Sequence, residues 1–447
     1  KPVALTMLEQ GLVYREPQGS NGFAIAPSRT EGGHALLMIN PHTSFFFRSE
    51  LQMSSDEGLD AYGAVTWGQF FIYQGFNRHI GWMHTSSGID NVDEFAETIV
   101  PQGDRLFYRY GKELRPVTEK TIAISYRTED GKLAQRAFTG YSTHHGPIVR
   151  TEGDKWIAFA LMNKPVPALE QSYLRTKTSD YASFLKVAEN KANSSNNTLL
   201  ADDKGEIAYL HPQFVPIRDD RFDYTKPVDG SDPATDWRGL HDLSSLPQAV
   251  NPKGGWAMNT NNWPWTAAGA DSPQRAAFPR YMDQAGENPR GPHAQIVLSA
   301  NAHFTLDGLI GAAYDPYLTG FARLMPGLIA AQDKTPDPAL ADAVQSLRGW
   351  DYKWSLTSTQ TSLAVFWGEA LWKAVAPAAK EAGLSTIDYM ATRATDAQKL
   401  AALREAVERL TADFGSIAVP WGEINRYQRN DGAIVQTFDD AKPSTPI

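Results

Sequence analysis

The chain has 447 residues, of which 42% are hydrophobic and 11% aromatic, and its formal net charge at pH 7 is −9. This composition can form a sizeable buried core and argues against intrinsic disorder. The charges are spread without a basic block, so the sequence gives no support to nucleic-acid binding. Cysteine is absent, which excludes disulfide bonds and a thiol nucleophile.

No run of 18 apolar residues occurs, so no segment is predicted to span a membrane. The first twelve residues are interrupted by Thr6, Glu9 and Gln10, and this pattern is not that of a signal peptide. Two interpretations follow: the chain is not exported, or its true start is missing.

The first part of the chain is predicted to be rich in strands. Residues 1–19 are expected to be a connector, since a short apolar piece is followed there by a polar segment containing proline. From Ser20 to about residue 162, runs of β-branched and aromatic residues alternate with clusters of Gly, Asn and Asp, which is typical of strands and turns. The predicted strands are 23–26, 35–39, 45–53, 62–66, 70–73, 79–85, 120–126 and 156–161.

Mixed signals follow, and then helical ones. A helix is predicted over 181–190, a hairpin from the runs at 199–200 and 207–210, a surface loop over 219–239 and a strand over 256–258. From about residue 289, apolar residues recur at spacings of three and four, which predicts helices over 291–300, 337–348, 360–377 and 395–412. We therefore expect an α+β fold with a β-rich part (20–288), a helical part (289–413) and a tail of loop with short strands (414–447).

Gly19 and Ser20 stand immediately before the first apolar strand. A serine hydroxyl is a weak nucleophile without a base. Its own α-amine can serve as that base if the preceding peptide bond is cut, because a free α-amino group has a pKa of about 7.7–8.0 and is tethered beside the hydroxyl. Gly19 lacks a Cβ and so permits the strained backbone that such a cut requires. Taken alone, residues 19–22 are more typical of an ordinary turn.

Seven further blocks of residues occur in a fixed order after Ser20 and change that interpretation. They are Asn40-Pro41-His42; residues 74–77 with 80–82 and Thr85-Ser86; residues 90–95; residues 143–147; residues 201–209 with Pro216-Ile217-Arg218; residues 237–240; and Asn259-Thr260-Asn261-Asn262. Together with Gly19-Ser20 they resemble the β chain of the penicillin acylase family of N-terminal-nucleophile hydrolases. The resemblance runs from about Gly19 to Asn262 and is weaker through the helical region. It implies the four-layer αββα sandwich of that fold, mostly its β-chain part.

The resemblance also implies roles for five residues. Ser20 is expected to be the nucleophile, with its own amine as the base. The backbone N–H of Ser86 and the side-chain amide of Asn261 are expected to form an oxyanion hole, because two neutral donors stabilise a developing alkoxide. His42 is expected to tune the amine or hold a water, and Arg290 to lie near the nucleophile. Each of three residues has an ordinary alternative. Asn261 could be a loop amide bonded to its own backbone, His42 a structural histidine after a proline turn, and Arg290 a solvated arginine at a helix end.

One structural calcium ion is implied in the same way. The ligands would be the side chains of Asp90 and Asp93 and the carbonyl of Val92, with the Pro216 carbonyl and Asp271 completing the set. Carboxylate and carbonyl oxygens suit a hard cation such as calcium. The alternative is that Asp90 and Asp93 are ordinary acidic loop residues.

Some positions depart from the family pattern and bear on the substrate. Phe23 stands where members often have Trp. Thr43 and Gln74 are polar, whereas phenylacetyl-selective members have an aromatic clamp there, so benzylpenicillin is not the expected natural substrate. The aromatic runs 45–47 and 70–71 could line an acyl pocket or belong to the core.

The implied activity is hydrolysis of the linear amide of a small N-acyl compound (a β-lactam side chain, an acyl-homoserine lactone or an acylated peptide) through an acyl-enzyme. Family members are made as a precursor of signal peptide, α chain, spacer and β chain. The resemblance therefore implies an α-chain partner, a periplasmic or secreted location and a chain incomplete at both ends. The alternatives are a non-catalytic ligand-binding protein or a dormant uncleaved precursor on the same fold. A carbohydrate-active protein, suggested by the twelve tryptophans, lacks a paired-carboxylate signal.

Overall fold

A computed structural model describes residues 19–43, 48–433 and 436–447. The chain divides into two compact units, Gly19–Ala285 and Gly286–Ile447. The division falls close to the change of character predicted near residue 289. Apart from Gly19, the predicted connector lies outside the described residues, as do residues 45–47 of the third predicted strand.

The first unit contains eighteen strands and two α-helices among its described residues. In chain order the strands are β1 (Gly19–Ile25), β2 (Leu36–His42), β3 (Arg48–Ser55), β4 (Leu59–Thr66), β5 (Gln74–Asn77), β6 (Ile80–Ser86), β7 (Asp93–Gln102), β8 (Arg105–Tyr110), β9 (Glu113–Pro116), β10 (Thr118–Arg127), β11 (Leu133–Ser142), β12 (Ile148–Glu152), β13 (Lys155–Ala160), β14 (Asn196–Asp202), β15 (Ile207–Leu210), β16 (Val228–Asp229), β17 (Gln248–Val250) and β18 (Trp256–Asn259). The helices are α1 (Pro165–Arg175) and α2 (Tyr181–Ala188).

A small sheet of three antiparallel strands carries the start of the described chain. Strand β1 lies between β18 and β2, with Ser20 opposite Pro41 and Gly22 opposite Asn259. The sheet packs closely on its neighbour at Gly22, where an added Cβ would lie 2.5 Å from a Leu199 methyl carbon. Glycine is therefore required there for the two sheets to approach.

The neighbouring sheet has seven strands in the order β17-β15-β14-β6-β5-β4-β3. Because side chains alternate along a strand, β6 and β14 bury residues on both faces. Met83 and Leu199 pack towards the small sheet, whereas Trp82 and Leu200 pack against Phe184 of α2. Helix, sheet and sheet thus form successive layers, three of the four predicted ones, and the predicted α+β class is confirmed.

The remaining strands of this unit form a separate sheet and a ribbon. The six-stranded sheet has the order β12-β13-β7-β8-β9, with β16 pairing in parallel with β7. Strands β10 and β11 form a two-stranded hairpin. Glu97 on β7 contacts His145, and Tyr108 on β8 contacts His144, so this sheet lies beside the turn that connects β11 and β12.

Most predicted elements of the first unit are confirmed, including the 199–210 hairpin and the helix that begins at Tyr181. Asp180 caps the start of that helix, because its carboxylate accepts a hydrogen bond from the Ser183 backbone N–H at 2.8 Å. The strand predicted over 70–73 is wrong: these residues form bends and β5 begins only at Gln74. Phe71 and Ile72 are buried, which explains the apolar composition without a strand.

The second unit is helical. Its helices are α3 (Arg290–Ala300), α4 (Leu306–Ala313), α5 (Thr319–Lys334), α6 (Ala341–Arg348), α7 (Thr359–Glu381), α8 (Thr386–Thr392), α9 (Asp396–Phe414) and α10 (Trp421–Ile424), followed by the paired strands β19 (Arg426–Tyr427) and β20 (Thr445–Pro446). Trp367 of α7 and Leu403 of α9 lie in one buried cluster. The four predicted helices are confirmed, although the one predicted over 337–348 begins with a 3-10 turn (Pro338–Leu340) before α6.

Among the helices in the described ranges, none combines the length and apolarity needed to cross a bilayer.

Candidate active site

Ser20 lies second in strand β1 and is only 7% exposed. Its hydroxyl donates a hydrogen bond to the carbonyl oxygen of Gly19 at 2.5 Å. The Ser20 Oγ therefore lies against the carbonyl group that a self-cleaving serine would attack.

The side-chain amide of Asn261 connects two other parts of the predicted site. Its Oδ1 accepts a hydrogen bond from the backbone N–H of Ser20 at 2.5 Å, and its Nδ2 donates to the Ser86 carbonyl oxygen at 3.1 Å. Asn261 has φ +63°, a left-handed conformation that asparagine adopts more readily than most residues. The structure thus brings together Ser20 from the start of β1, Ser86 from the end of β6 and Asn261 from the turn after β18.

The predicted oxyanion hole differs in one respect from this arrangement. The group of Ser86 that contacts Asn261 is the carbonyl oxygen, whereas the prediction names the backbone N–H. An asparagine amide carries two N–H donors, so one can hold Ser86 while the other serves a further acceptor. The oxyanion role of the Ser86 N–H and the Asn261 amide stays a prediction.

A buried residue that the sequence analysis did not single out holds this turn in place. Asn259 Oδ1 accepts hydrogen bonds from Thr85 Oγ1 at 2.5 Å, Asn261 N at 2.9 Å and Asn197 Nδ2 at 3.3 Å. Asn259 Nδ2 donates to the Asn262 carbonyl at 3.0 Å. The family resemblance of the block 259–262 implies a role for Asn261 only. The contacts of Asn259 with Thr85 and Asn197 join distant strands, so no local sequence pattern predicts them.

His42 ends strand β2 and lies opposite Gly19 in the register of the small sheet. Its Nε2 is 2.9 Å from Asn40 Oδ1 and 3.4 Å from Asn21 Nδ2. His42 is therefore part of a polar group beside the bond that would be cut. Its effect on the amine or on a water stays a prediction.

Arg290 is the first residue of α3, in the second unit. Burial lowers the pKa of its guanidinium. The residue helps to line a cavity of about 520 Å³ within that unit, together with apolar side chains that include Phe321, Trp372 and Met390. The expected location near the nucleophile stays a prediction.

The predicted calcium ligands lie in two different environments. Asp93 is buried, and its Oδ2 is 2.7 Å from Nε of the buried Arg218; the same oxygen accepts a hydrogen bond from the Trp237 indole. Arg218 Nη1 also donates to the backbone carbonyl of Asp90 at 2.5 Å. Asp271 is engaged elsewhere, accepting from the Gly254 backbone N–H at 3.0 Å. Burial raises the pKa of Asp93, and raises that of Asp90 to about 6, against the opposing effect of Arg218.

The guanidinium of Arg218 supplies positive charge beside Asp93 in this structure. Among the described residues, the only three His, Cys, Asp or Glu side chains close enough to share an ion are His144, His145 and Asp236, so Asp90, Asp93 and Asp271 do not form such a group by themselves. Val92 is 40% exposed, and Pro216 forms an isolated bridge with Leu240. Calcium stays a prediction.

The residues considered for an acyl pocket lie in different environments. Phe23 and Phe71 are buried in the core, whereas Phe70 is 59% exposed. Gln74 is fully buried, and its Oε1 accepts from the His84 backbone N–H at 3.3 Å. Thr43 follows β2 and is half-buried, and the run 45–47 lies outside the described residues. The acyl pocket stays a prediction.

Comparisons with known proteins agree with this fold. A family model described as penicillin amidase matches residues 3–442. An acyl-homoserine lactone acylase, PvdQ of Pseudomonas fluorescens (strain Pf0-1), is 24% identical over 382 residues, which cover 76% of this chain and 48% of that protein. A penicillin G acylase of Escherichia coli is 27% identical over 260 residues, covering 56% of this chain and 29% of that protein.

One solved structure extends the likeness to three dimensions. It is a thermostable penicillin G acylase from Alcaligenes faecalis in orthorhombic form, with a TM-score of 0.72 and 20% identity, covering 89% of this chain and 80% of that chain. At this identity the likeness shows the fold alone. The chain spans about half the length of the first curated relative that it matches.

Proposed function

Because the chain belongs to the penicillin amidase family, we propose that it is the catalytic part of an amidohydrolase that cleaves the linear amide of an N-acyl compound. Two relatives are named as acylases, one for acyl-homoserine lactones and one for penicillin G. The substrate class is a small molecule with an acyl group on nitrogen: an acyl-homoserine lactone, a β-lactam side chain or an acylated peptide.

The observation that carries the proposal is the bridge that Asn261 makes between Ser20 and Ser86. A serine at the start of a strand is common, but this one has its backbone nitrogen held by an amide oxygen at 2.5 Å. The same amide group reaches the end of β6. That arrangement supports Ser20 as a nucleophile whose nitrogen is held in a fixed direction.

Maturation would expose that nitrogen as an amine. Ser20 Oγ attacks the carbonyl carbon of Gly19; the new C–O bond forms as the C–N bond breaks, and the hydroxyl proton passes to the departing nitrogen. Water then hydrolyses the ester, which leaves a carboxylate on Gly19 and a free α-amine on Ser20. The 2.5 Å contact between Ser20 Oγ and Gly19 O supports this step.

Substrate hydrolysis would use the same atoms. The α-amine takes the proton of Ser20 Oγ, directly or through one water, as Oγ attacks the substrate carbonyl. An amine that donates to Asn261 Oδ1 keeps its lone pair available for that proton. The alkoxide is held by the Ser86 N–H and the second Asn261 N–H. The proton then passes to the leaving amine, and water releases the acyl group from Ser20.

We infer from the family resemblance that an α chain from the same precursor completes the enzyme. A periplasmic or secreted location follows from the same family resemblance.

Intact-mass analysis of the purified protein tests the proposal. The protein without substitutions (the parent) is expected to contain a chain that begins at Ser20. It is also expected to hydrolyse at least one member of a panel of N-acyl compounds that includes acyl-homoserine lactones and penicillins. Ser20→Ala is expected to stay uncut and inactive, whereas the exposed Ser28→Ala is the matched control and should behave as the parent. Cleavage of Ser20→Ala at the same bond would show that an outside protease acts there. A processed parent that binds panel members but hydrolyses none would be a ligand-binding protein.

A further inference from the structure

A second polar cluster lies in the first unit, where the turn between β11 and β12 meets strand β7 and the loop 232–237. It contains His144 and His145 from the turn, Glu97 from β7 and Asp236 from the loop. These residues come from different strands and loops from those of the Ser20 site. The penicillin amidase assignment gives them no role.

Three ligand atoms of this cluster converge. Asp236 Oδ1 is 2.9 Å from His145 Nε2 and 3.7 Å from His144 Nε2, and one ligand atom from each of the three side chains lies within 4.8 Å of the other two. In a tetrahedral zinc site with bonds of 2.0–2.1 Å, adjacent ligand atoms are about 3.3 Å apart. The two separations that involve Asp236 lie on either side of that value.

Each of the three side chains is oriented by a further partner. His145 Nδ1 is 2.8 Å from Oε1 of the buried Glu97, and His144 Nδ1 is 2.9 Å from the Tyr108 hydroxyl. Asp236 Oδ2 accepts a hydrogen bond from the Tyr110 hydroxyl at 2.5 Å. Metal-binding histidines almost always have the second ring nitrogen held in this way by a carboxylate or another polar group.

The charge of the cluster favours a cation. Glu97 and Asp236 supply two carboxylates, and in the described ranges their ion pairs are made with the two histidines alone. Glu97 Oε2 is buried, and no hydrogen-bond partner for it occurs among the described residues. Arg115 lies over the Tyr110 ring but pairs with Glu113. A buried carboxylate such as Glu97 requires compensation by positive charge.

We propose that His144, His145 and Asp236 bind a zinc ion, with a water molecule as the fourth ligand. Imidazole nitrogens with one carboxylate oxygen are a usual ligand set for zinc. The site is accessible, because the His144 and Asp236 side chains are 31% and 26% exposed, whereas His145 is 5% exposed.

The ion would have a structural role. It ties the β11–β12 turn to the loop 232–237, and through His145 and Glu97 to strand β7. The ring of Phe95 stacks on His145 with centroids 3.8 Å apart, which fixes the plane of that imidazole. Zinc binding should therefore raise the unfolding temperature of the protein.

Calorimetric titration of the metal-stripped protein with zinc chloride tests the proposal. The parent is expected to bind one zinc ion per chain and to melt at a higher temperature with zinc than without it. Cobalt bound in its place should give the intense visible absorption of a four-coordinate site. Tyr108→Phe, which removes only the hydroxyl that orients His144, should weaken zinc binding about 10–100-fold. His144→Asn should weaken it further.

The exposed histidine of the second unit, His303, supplies the matched control: His303→Asn should bind zinc as the parent does. Circular dichroism of each variant establishes that it is folded. Parent protein that binds no zinc at micromolar concentrations would overturn the proposal, as would unchanged zinc affinity in a folded His144→Asn variant. The parent titration decides the matter even if a variant fails to fold, and neither result depends on amide hydrolysis.

Discussion

Asn259 fixes the backbone of Asn261, because its buried Oδ1 accepts the Asn261 backbone N–H at 2.9 Å. The same oxygen also accepts from Thr85 and Asn197, so one side chain connects the turn after β18 to strands β6 and β14. The direction of the Asn261 amide towards Ser20 therefore depends on a residue that does not itself contact Ser20 in the described hydrogen bonds. Asn259 therefore positions the turn, whereas Asn261, two residues later, contacts Ser20.

Asn259→Ala is expected to lower both stability and activity. Three donors lose their acceptor, and each buried donor left unsatisfied costs about 1–3 kcal/mol. Urea unfolding and kcat measured on the processed protein check this. Asn251→Gly is the control, because Asn251 Oδ1 accepts only the Ile207 backbone N–H among the described hydrogen bonds, at 2.9 Å, and glycine adopts the left-handed φ of this position without strain. Parental stability together with parental activity in Asn259→Ala would show that the network does not hold Asn261.

Asn261→Gly is expected to reduce kcat by about 10²–10³ with little change in KM, because the amide would bond the alkoxide more strongly than the ground-state carbonyl. Glycine adopts φ +63° without strain, so the loss reports the amide and not the backbone. Asn251→Gly, also at a left-handed position, is the control. Self-cleavage must be verified first by mass. A correctly processed Asn261→Gly enzyme that works at the parental rate contradicts the oxyanion assignment.

Much of the site could be predicted from sequence only because of the ordered family blocks. Local patterns predict strands over 23–26 and 35–39, and the structure extends these strands to Ser20 and His42. Antiparallel pairing of β1 and β2 then places Ser20 opposite Pro41 and Gly19 opposite His42. The contact from Ser20 to Asn261 spans 241 residues, and no local pattern predicts it. Asn259 was missed for the same reason, since its partners Thr85 and Asn197 lie on two other strands.

The errors in the predicted fold have similar causes. The run 70–73 has strand composition because Phe71 and Ile72 fill the core, although the backbone bends there. Helix α5 was not predicted, since it contains Pro326 and two glycines that weaken the helical pattern. In both segments, tertiary packing determines the backbone conformation, and the local sequence pattern does not.

Arg218→Met is expected to lower the free energy of unfolding by about 3–5 kcal/mol, because it leaves the buried Asp93 carboxylate without its partner. Arg221→Met, which removes an exposed pair with Asp219, should have little effect. Unfolding of the metal-stripped protein with and without added calcium chloride tests the calcium prediction. An unchanged midpoint is the expected result if Arg218 supplies the positive charge beside Asp93; a clear rise with calcium that is absent in Asp93→Asn would show that a calcium ion binds there.

Asp283 should make stability depend on pH. Burial raises the pKa of this carboxyl to about 7, from an ordinary value of 3.8. Between these two values the folded protein binds more protons than the unfolded chain, so this contribution to the free energy of unfolding falls as pH rises from about 4 to 7 and is then constant. The slope approaches about 1.4 kcal/mol per pH unit.

Asp283→Asn keeps a neutral side chain at every pH and can still accept the Ala285 backbone N–H. The difference in unfolding free energy, variant minus parent, should therefore grow between pH 5 and pH 7. A difference that stays the same across this range would show that the Asp283 pKa is not raised.

Acid-quenched mass mapping of the acyl-enzyme tests whether Ser20 is an N-terminal nucleophile. The processed protein is mixed with a p-nitrophenyl fatty-acid ester, quenched in acid and digested. We expect the acyl mass on the peptide that begins with Ser20, as an ester that hydroxylamine removes, and no label in Ser20→Ala. If product forms while the acyl group is found on a different residue, or while the Ser20 peptide carries no label, Ser20 is not the nucleophile.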